Sequence, residues 1–183
     1  MDPEKEGVRI VASLMALSAR TAPKARGVDD LVIRMAEGPE LSRLAGEMRK
    51  YGEETGTGFF VRDAGNIEKS DLCLILGWKG ESVTGLDCGA CGYQTCAMML
   101  EAQKEASVMG SFFSGPNCAI RMTDLGIALG SAVKTASIHN VDNRVMYSAG
   151  VCALRLGWLE GCYVAYAIPI SVSGKNIYFD RST

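Results

Sequence analysis

The sequence predicts an α+β domain in which helices cover a small sheet and a cysteine-rich loop is inserted between two elements. Three observations carry this expectation. Two continuous apolar runs, "LCLILGW" and "CYVAYAIPISV", are bounded by polar residues and read as strands. Several other stretches repeat apolar residues at helical spacing. Between the two runs lies "GLDCGACGYQTC", a loop with its own glycines. The 183 residues, 48% of them hydrophobic, suffice for one substantial core. One domain over 1–183 is therefore expected, with 85–118 as a distinct segment within it.

The elements follow in order. Val8, Val11, Leu14, Met15 and Leu17 predict a helix over 6–18, ended by Pro23 and Gly27. Asp29 or Asp30 is positioned to cap a short second helix through Met35. Pro39 suits the first turn of a third, whose stripe is Leu41, Leu44, Ala45 and Met48. "GTGFFVRDA" reads as loop and short strand, and "SDLCLILGW" as a central strand. After the cysteine loop a helix is expected over 93–108, then a Gly/Pro/Asn loop delivering Cys118. "AIRMTDLGIALGSAVKTASIHN" is a long helix of small residues. Gly126 and Gly130 share one face, which predicts close approach by another element. A further helix is capped by Asp142 or Asn143 and ends at Gly157. The last strand precedes a tail, "SGKNIYFDRST", that either continues as an edge strand or leaves the body.

Charge and composition narrow the function. Nineteen Lys and Arg against 21 Asp and Glu give a net charge of −2, with no general pull toward nucleic acid or anionic lipid. No apolar run has the length of a membrane span. The polar start "MDPEKEG" does not look like a signal peptide. Seven cysteines in that setting point to a reducing cytoplasm, where clustered thiols serve metals or redox chemistry. Cys73, Cys152 and Cys162 have apolar neighbours and read as packed, inert thiols.

Cys88, Cys91, Cys96 and Cys118 are different. Three are local and one is remote, whereas structural zinc usually takes two separate two-ligand knuckles. Three local thiolates can wrap three corners of a [4Fe–4S] cluster, and a distant one closes the fourth. Gly89 and Gly92 permit the positive backbone torsions that a loop around a bulky core requires. Zinc and a thiol–disulfide pair are the alternatives. His139, the one histidine, suits a helix end, and "SVSGKN" lacks the rest of a phosphate loop. Arg20, Thr21, Lys24 and Arg26 follow the first helix. They suit either an anionic cofactor or the negative end of that helix.

"DCGACGYQTCAMML" with the remote Cys118 resembles the four-cysteine [4Fe–4S] module of corrinoid iron–sulfur proteins. Along the chain, "ARTAPKARGVD", "VRDAGNIEKSD", "DLGIALGSAVKTAS" and "IPISVSGKNIYFDR" resemble a prokaryotic family of ferredoxin-domain-containing proteins. The order of "SARTAPKARG", "DLGIALGSA" and "GCYVAYAIPIS" is similar to the nitroreductase fold. That likeness implies a flavin mononucleotide (FMN) phosphate on Arg20, Thr21 and Lys24, a central interface helix, and a tail embracing a second subunit of a homodimer. Only Arg20 and Thr21 match the usual basic motif, and Pro23 stands where a basic residue is usual. The expected function is a cytoplasmic [4Fe–4S] redox protein with an unknown redox partner, and a flavin-assisted oxidoreductase if FMN is also bound. A non-catalytic electron carrier or cluster-bearing subunit, and an enzyme using cluster iron as a Lewis acid, are the alternatives.

Overall fold

The computed structural model describes residues 2–106 and 112–179. The central run forms strand β2 (Leu72–Lys79), which pairs antiparallel with β1 (Leu31–Glu37) on one side. On its other side it pairs antiparallel with β4 (Cys162–Ser171). A two-residue strand, β3 (Asp142–Asn143), joins the far edge, so the order is β1-β2-β4-β3.

Side chains on β2 alternate between two separate cores. Leu72, Leu74, Leu76 and Trp78 face α1 (Pro3–Thr21) and α5 (Ala119–Ile138). Cys73 and Ile75 face α2 (Pro39–Thr55), α3 (Gly58–Glu68) and α6 (Tyr147–Arg155). Burial on both faces is why this strand reads as an unbroken apolar run. Asp2 caps α1 by accepting the N–H of Glu4, and Pro3 occupies the first turn. Helix α6 lies so close to β4 that a Cβ on Gly150 would sit 2.0 Å from the carbonyl oxygen of Ala165.

Several expectations are corrected. The segment after Asp30 is a strand, since Val32 and Ile33 find ladder partners in Gly77 and Leu76. "GFFVRDAGNIE" is helix α3, with Phe60, Asp63, Ala64 and Ile67 on its buried side. Asp142 and Asn143 pair with β4 and do not cap α6, which begins after Met146. The helix after the cysteine loop is α4 (Cys96–Glu105), shorter than expected, and Val108 lies outside the described residues. Among the described residues no element approaches Gly126 or Gly130: a Cβ on either meets nothing within 4 Å. The tail folds back as far as Phe179. Tyr178 is buried, its hydroxyl 2.9 Å from that of Ser70, while Phe179 is exposed. Among the described residues no helix is long and apolar enough to cross a membrane.

Candidate metal centre

Cys88, Cys91, Cys96 and Cys118 line one small pocket of about 270 Å³, its mouth included. Three segments build it. Beyond β2 the chain turns back through Gly85, Asp87, Gly89 and Gly92, all at positive φ. The two glycines singled out in the sequence thus take the torsions expected of them, 71° and 88°. Asp87 accepts the N–H of Cys96 at 2.7 Å, which fastens the loop to the start of α4. Thr95 caps that helix, so Cys96 stands in its first turn. Cys118 immediately precedes α5. Two helix N-termini therefore carry ligand candidates, and their partial positive charge favours thiolate.

Burial grades across the set. Cys88 is exposed, Cys91 and Cys96 are half-buried, and Cys118 is buried. Desolvation would raise the Cys118 thiol. The backbone N–H groups of Arg121, Thr84 and Ile120 that face it, and the Thr84 hydroxyl 4.0 Å away, outweigh that and lower it. The other thiols behave in the opposite way. Burial pushes Cys73 far up, Cys152 to about 12 and Cys162 to about 11. None of these three lines the pocket. Among the described residues no group of three or more His, Cys, Asp or Glu is arranged to hold a metal ion. The four thiols share the lining of one pocket. Zn–S bonds of about 2.3 Å would bring tetrahedral sulfurs to roughly 3.8 Å from one another.

Residues not singled out in the sequence brace this pocket. Gln103 is buried on α4. It accepts the N–H of Glu81 and donates to the carbonyl of Pro116, both at 2.7 Å, tying three segments together. Arg121 and Asp124 form a buried ion pair at 3.0 Å on the inner side of α5. Their spacing of three on a helix of small residues is the available signal, because it places both on the face shared by Leu125 and Ala128. A roomier cleft among Lys5, Arg9, Glu37, Glu68 and Asp71 contains no cysteine.

The segment expected to hold a flavin phosphate is turned toward the chain itself. The Lys24 side chain is buried, and its ammonium donates to the carbonyls of Ala19, Arg20 and Ala22 at the end of α1. Arg20 bonds Asp29 at 2.6 Å and the Leu31 carbonyl at 2.8 Å. Partial desolvation pulls the Asp29 carboxyl up, but Arg20 and then Lys24 hold it below the usual range. Thr21 donates back to Leu17. As folded, Lys24 caps α1, Arg20 is tied to Asp29 and Leu31, and Thr21 to Leu17; they do not converge on an anion, so they do not fit a flavin phosphate.

Residues 114–181 match the family described as "Uncharacterized protein containing a ferredoxin domain (DUF2148)". An "Uncharacterized protein" of Archaeoglobus fulgidus is 43% identical over 181 residues, 99% of this chain and 95% of its own length. The chain belongs to this ferredoxin-domain family. Of the four pocket cysteines, the stretch matching the family contains only Cys118.

Solved structures show the fold of this ferredoxin-domain protein. A BluB-like flavoprotein from Clostridium difficile 630 superposes with a TM-score of 0.60 at 11% identity, over 95% of this chain and 84% of the other. Nitroreductase CinD from Lactococcus lactis, in complex with chloramphenicol, gives 0.60 at 9% identity, over 94% and 84%. A nitroreductase-like family protein from Bacillus cereus gives 0.58 at 8%, over 95% and 79%. The fold is nitroreductase-like, as the order of segments implied.

Proposed function

We propose that this ferredoxin-domain protein carries one [4Fe–4S] cluster on Cys88, Cys91, Cys96 and Cys118 and works as a one-electron redox protein. The observation that carries this is the meeting at one pocket of three loop thiols and a fourth brought by α5. Such a cluster, when bound, supplies a site that gains and loses single electrons. The chain supplies the rest. Gly89 and Gly92 let the loop wrap, Asp87 fixes the Cys96 end, and the start of α5 presents Cys118 to the pocket. The exposed Cys88 marks the edge that a one-electron donor or acceptor protein reaches first. Four thiolates leave no open iron position, which favours electron transfer over Lewis-acid chemistry. Three local thiols and one remote favour a cluster over a single zinc ion, which usually takes two separate two-ligand knuckles. Free thiols at an exposed loop fit a cytoplasmic, reducing compartment.

Anaerobic purification with assays of iron, sulfide, zinc and flavin tests this. About four irons and four sulfides per chain are expected, with Cys88→Ser, Cys91→Ser or Cys96→Ser each losing most of the iron. Stoichiometric zinc without sulfide overturns it.

Flavin is a second reading, favoured only by likeness to folds that include a flavoprotein. Arg20 would have to hold the FMN phosphate with Thr21 and Lys24 turned away from their present partners. Saturable FMN binding that Arg20→Ala abolishes would assign it.

A homodimer is also proposed, through the outer sides of α1 and α5. Ile10 and Leu17 on α1 and Ile138 on α5 stand 55%, 61% and 63% exposed, and Gly126 and Gly130 leave open space along α5. That aliphatic surface favours burial against a second copy.

A further inference from the structure

The basic segment after α1 reaches the cysteine pocket by another route. Ala25–Gly27 form a single 3-10 turn in which Arg26 takes φ 56°, an unusual torsion for a residue with a side chain. From that turn the Arg26 guanidinium donates to the carbonyl of Thr84 at 2.9 Å. It also lies against the next residue, Gly85, where an added Cβ would stand 3.4 Å from Nη1. Thr84 is the last residue before the cysteine loop and Gly85 is its first.

The same turn is held from beneath by α5. The N–H of Ala25 donates to Asp124 at 2.9 Å, and Arg121 donates to the Ala25 carbonyl at 3.0 Å. The other arm of Arg121 donates to the Val83 carbonyl at 3.0 Å. Arg121 is 1% exposed and stands three residues from Cys118. Both Val83 and Cys118 line the pocket.

We propose that the Ala25–Gly27 turn and Arg121 form a clamp that fixes Thr84 and Cys118, making Arg26 and Arg121 positioning residues for the fourth thiolate. This rests on the reading of the four cysteines as cluster ligands. The geometry explains why a left-handed arginine is kept in an exposed turn, and why two charges are buried on α5. Cys118 is remote from the cysteine loop along the chain. Its place relative to Thr84 is set by Arg121 from one side and by Arg26 from the other. The clamp therefore acts on Cys118 and leaves Cys88, at the exposed tip of the loop, to itself.

Two measurements separate the clamp from the cluster. The first uses metal-free protein. Iodoacetamide labelling followed by mass spectrometry gives the rate at Cys118 relative to Cys88 in the same molecules. Arg26→Gln removes the contact with Thr84 and should raise the Cys118 rate about fivefold, the change expected for losing one hydrogen bond. Arg26→Lys keeps a donor and should restore the wild-type rate. Arg121→Lys, which cannot span Ala25 and Val83 together, should raise it about tenfold or more. Cys73 and Cys152 should stay unlabelled in the Arg26 variants, which a general loosening of the core would not allow.

The second measurement reconstitutes the same proteins anaerobically with ferric iron, sulfide and a thiol reductant that supplies the ferrous half. On oxidation with ferricyanide, which takes the one electron lost per cluster, Arg26→Gln should release iron to a chelator faster than wild type and accumulate a three-iron signal by electron paramagnetic resonance. Equal Cys118 labelling in wild type, Arg26→Gln and any folded Arg121→Lys overturns the clamp, whatever metal the protein holds. If wild type takes up no iron and sulfide, the cluster reading falls while the labelling result still decides the clamp.

Discussion

Replacing both Gly126 and Gly130 by alanine gives opposite results for one chain and for two. Within the chain, a Cβ at either position meets no atom within 4 Å. Both lie inside α5, where glycine costs about 1 kcal/mol relative to alanine. An isolated subunit should therefore gain about 2 kcal/mol, and its Tm should rise by roughly 4–8 °C. In a homodimer through this face the partner's backbone comes close to the glycines. Each new methyl then meets packed atoms, and overpacking costs about 1–3 kcal/mol per site. Two-fold symmetry repeats every substitution on the other subunit. Dimerisation should weaken by at least about tenfold, the equivalent of about 1.4 kcal/mol. Sedimentation equilibrium of both proteins, with thermal melts at two concentrations, measures the two effects separately. A double variant that dimerises as tightly as wild type refutes the assignment of this face. Wild type sedimenting as single chains at micromolar concentration refutes the dimer itself.

Other outcomes follow from the cysteines and from α6. Cys118→Ser should leave a three-iron form or an unstable cluster, whereas Cys73→Ser, Cys152→Ser and Cys162→Ser should keep four irons. Loss of iron with Cys162→Ser but not Cys118→Ser would reverse the ligand assignment. Burial raises the pKa of Cys73 and Cys152, the latter to about 12, so both stay protonated thiols at pH 8. They should resist iodoacetamide in folded metal-free protein and label fully in urea. Labelling either as fast as Cys88 would contradict their burial. Gly150→Ala should destabilise by about 3 kcal/mol, the upper end for overpacking, because its Cβ would sit 2.0 Å from backbone that cannot rotate away. A urea midpoint unchanged from wild type would refute that close approach.

The elements legible in the sequence are those whose burial leaves a pattern. Strand β2 is buried on both faces and so is apolar throughout. Helix α2 has one buried stripe, with Pro39 at its start and Gly56 left-handed at its end. β1 reads as a helix because Leu31, Val32 and Ile33 gain their meaning from the neighbouring strand, and an aspartate before them mimics a cap. Helix α3 reads as loop and strand because its four-residue apolar rhythm completes only at Ile67, beyond Gly65. At the pocket, spacing and glycines point to the loop cysteines, since those features are local. The clamp is invisible in the sequence because Ala25, Val83, Thr84 and Arg121 meet only when the chain is folded. Lys24 illustrates the converse. A cation after a helix suits either a ligand or the helix's own carbonyls, and only the fold shows it turned to Ala19, Arg20 and Ala22.

The contact between Arg121 and Ala25 joins residues 96 apart in sequence. A chain leaving the ribosome exposes Cys88, Cys91 and Cys96 well before α5 exists to bring the fourth wall. Closing so long a loop costs entropy that returns only when α5 has packed on α1. The three early thiols therefore spend part of each synthesis without their partner, open to stray metals and oxidants. Faithful loading belongs after the helical layer is complete, when the pocket first has all its sides.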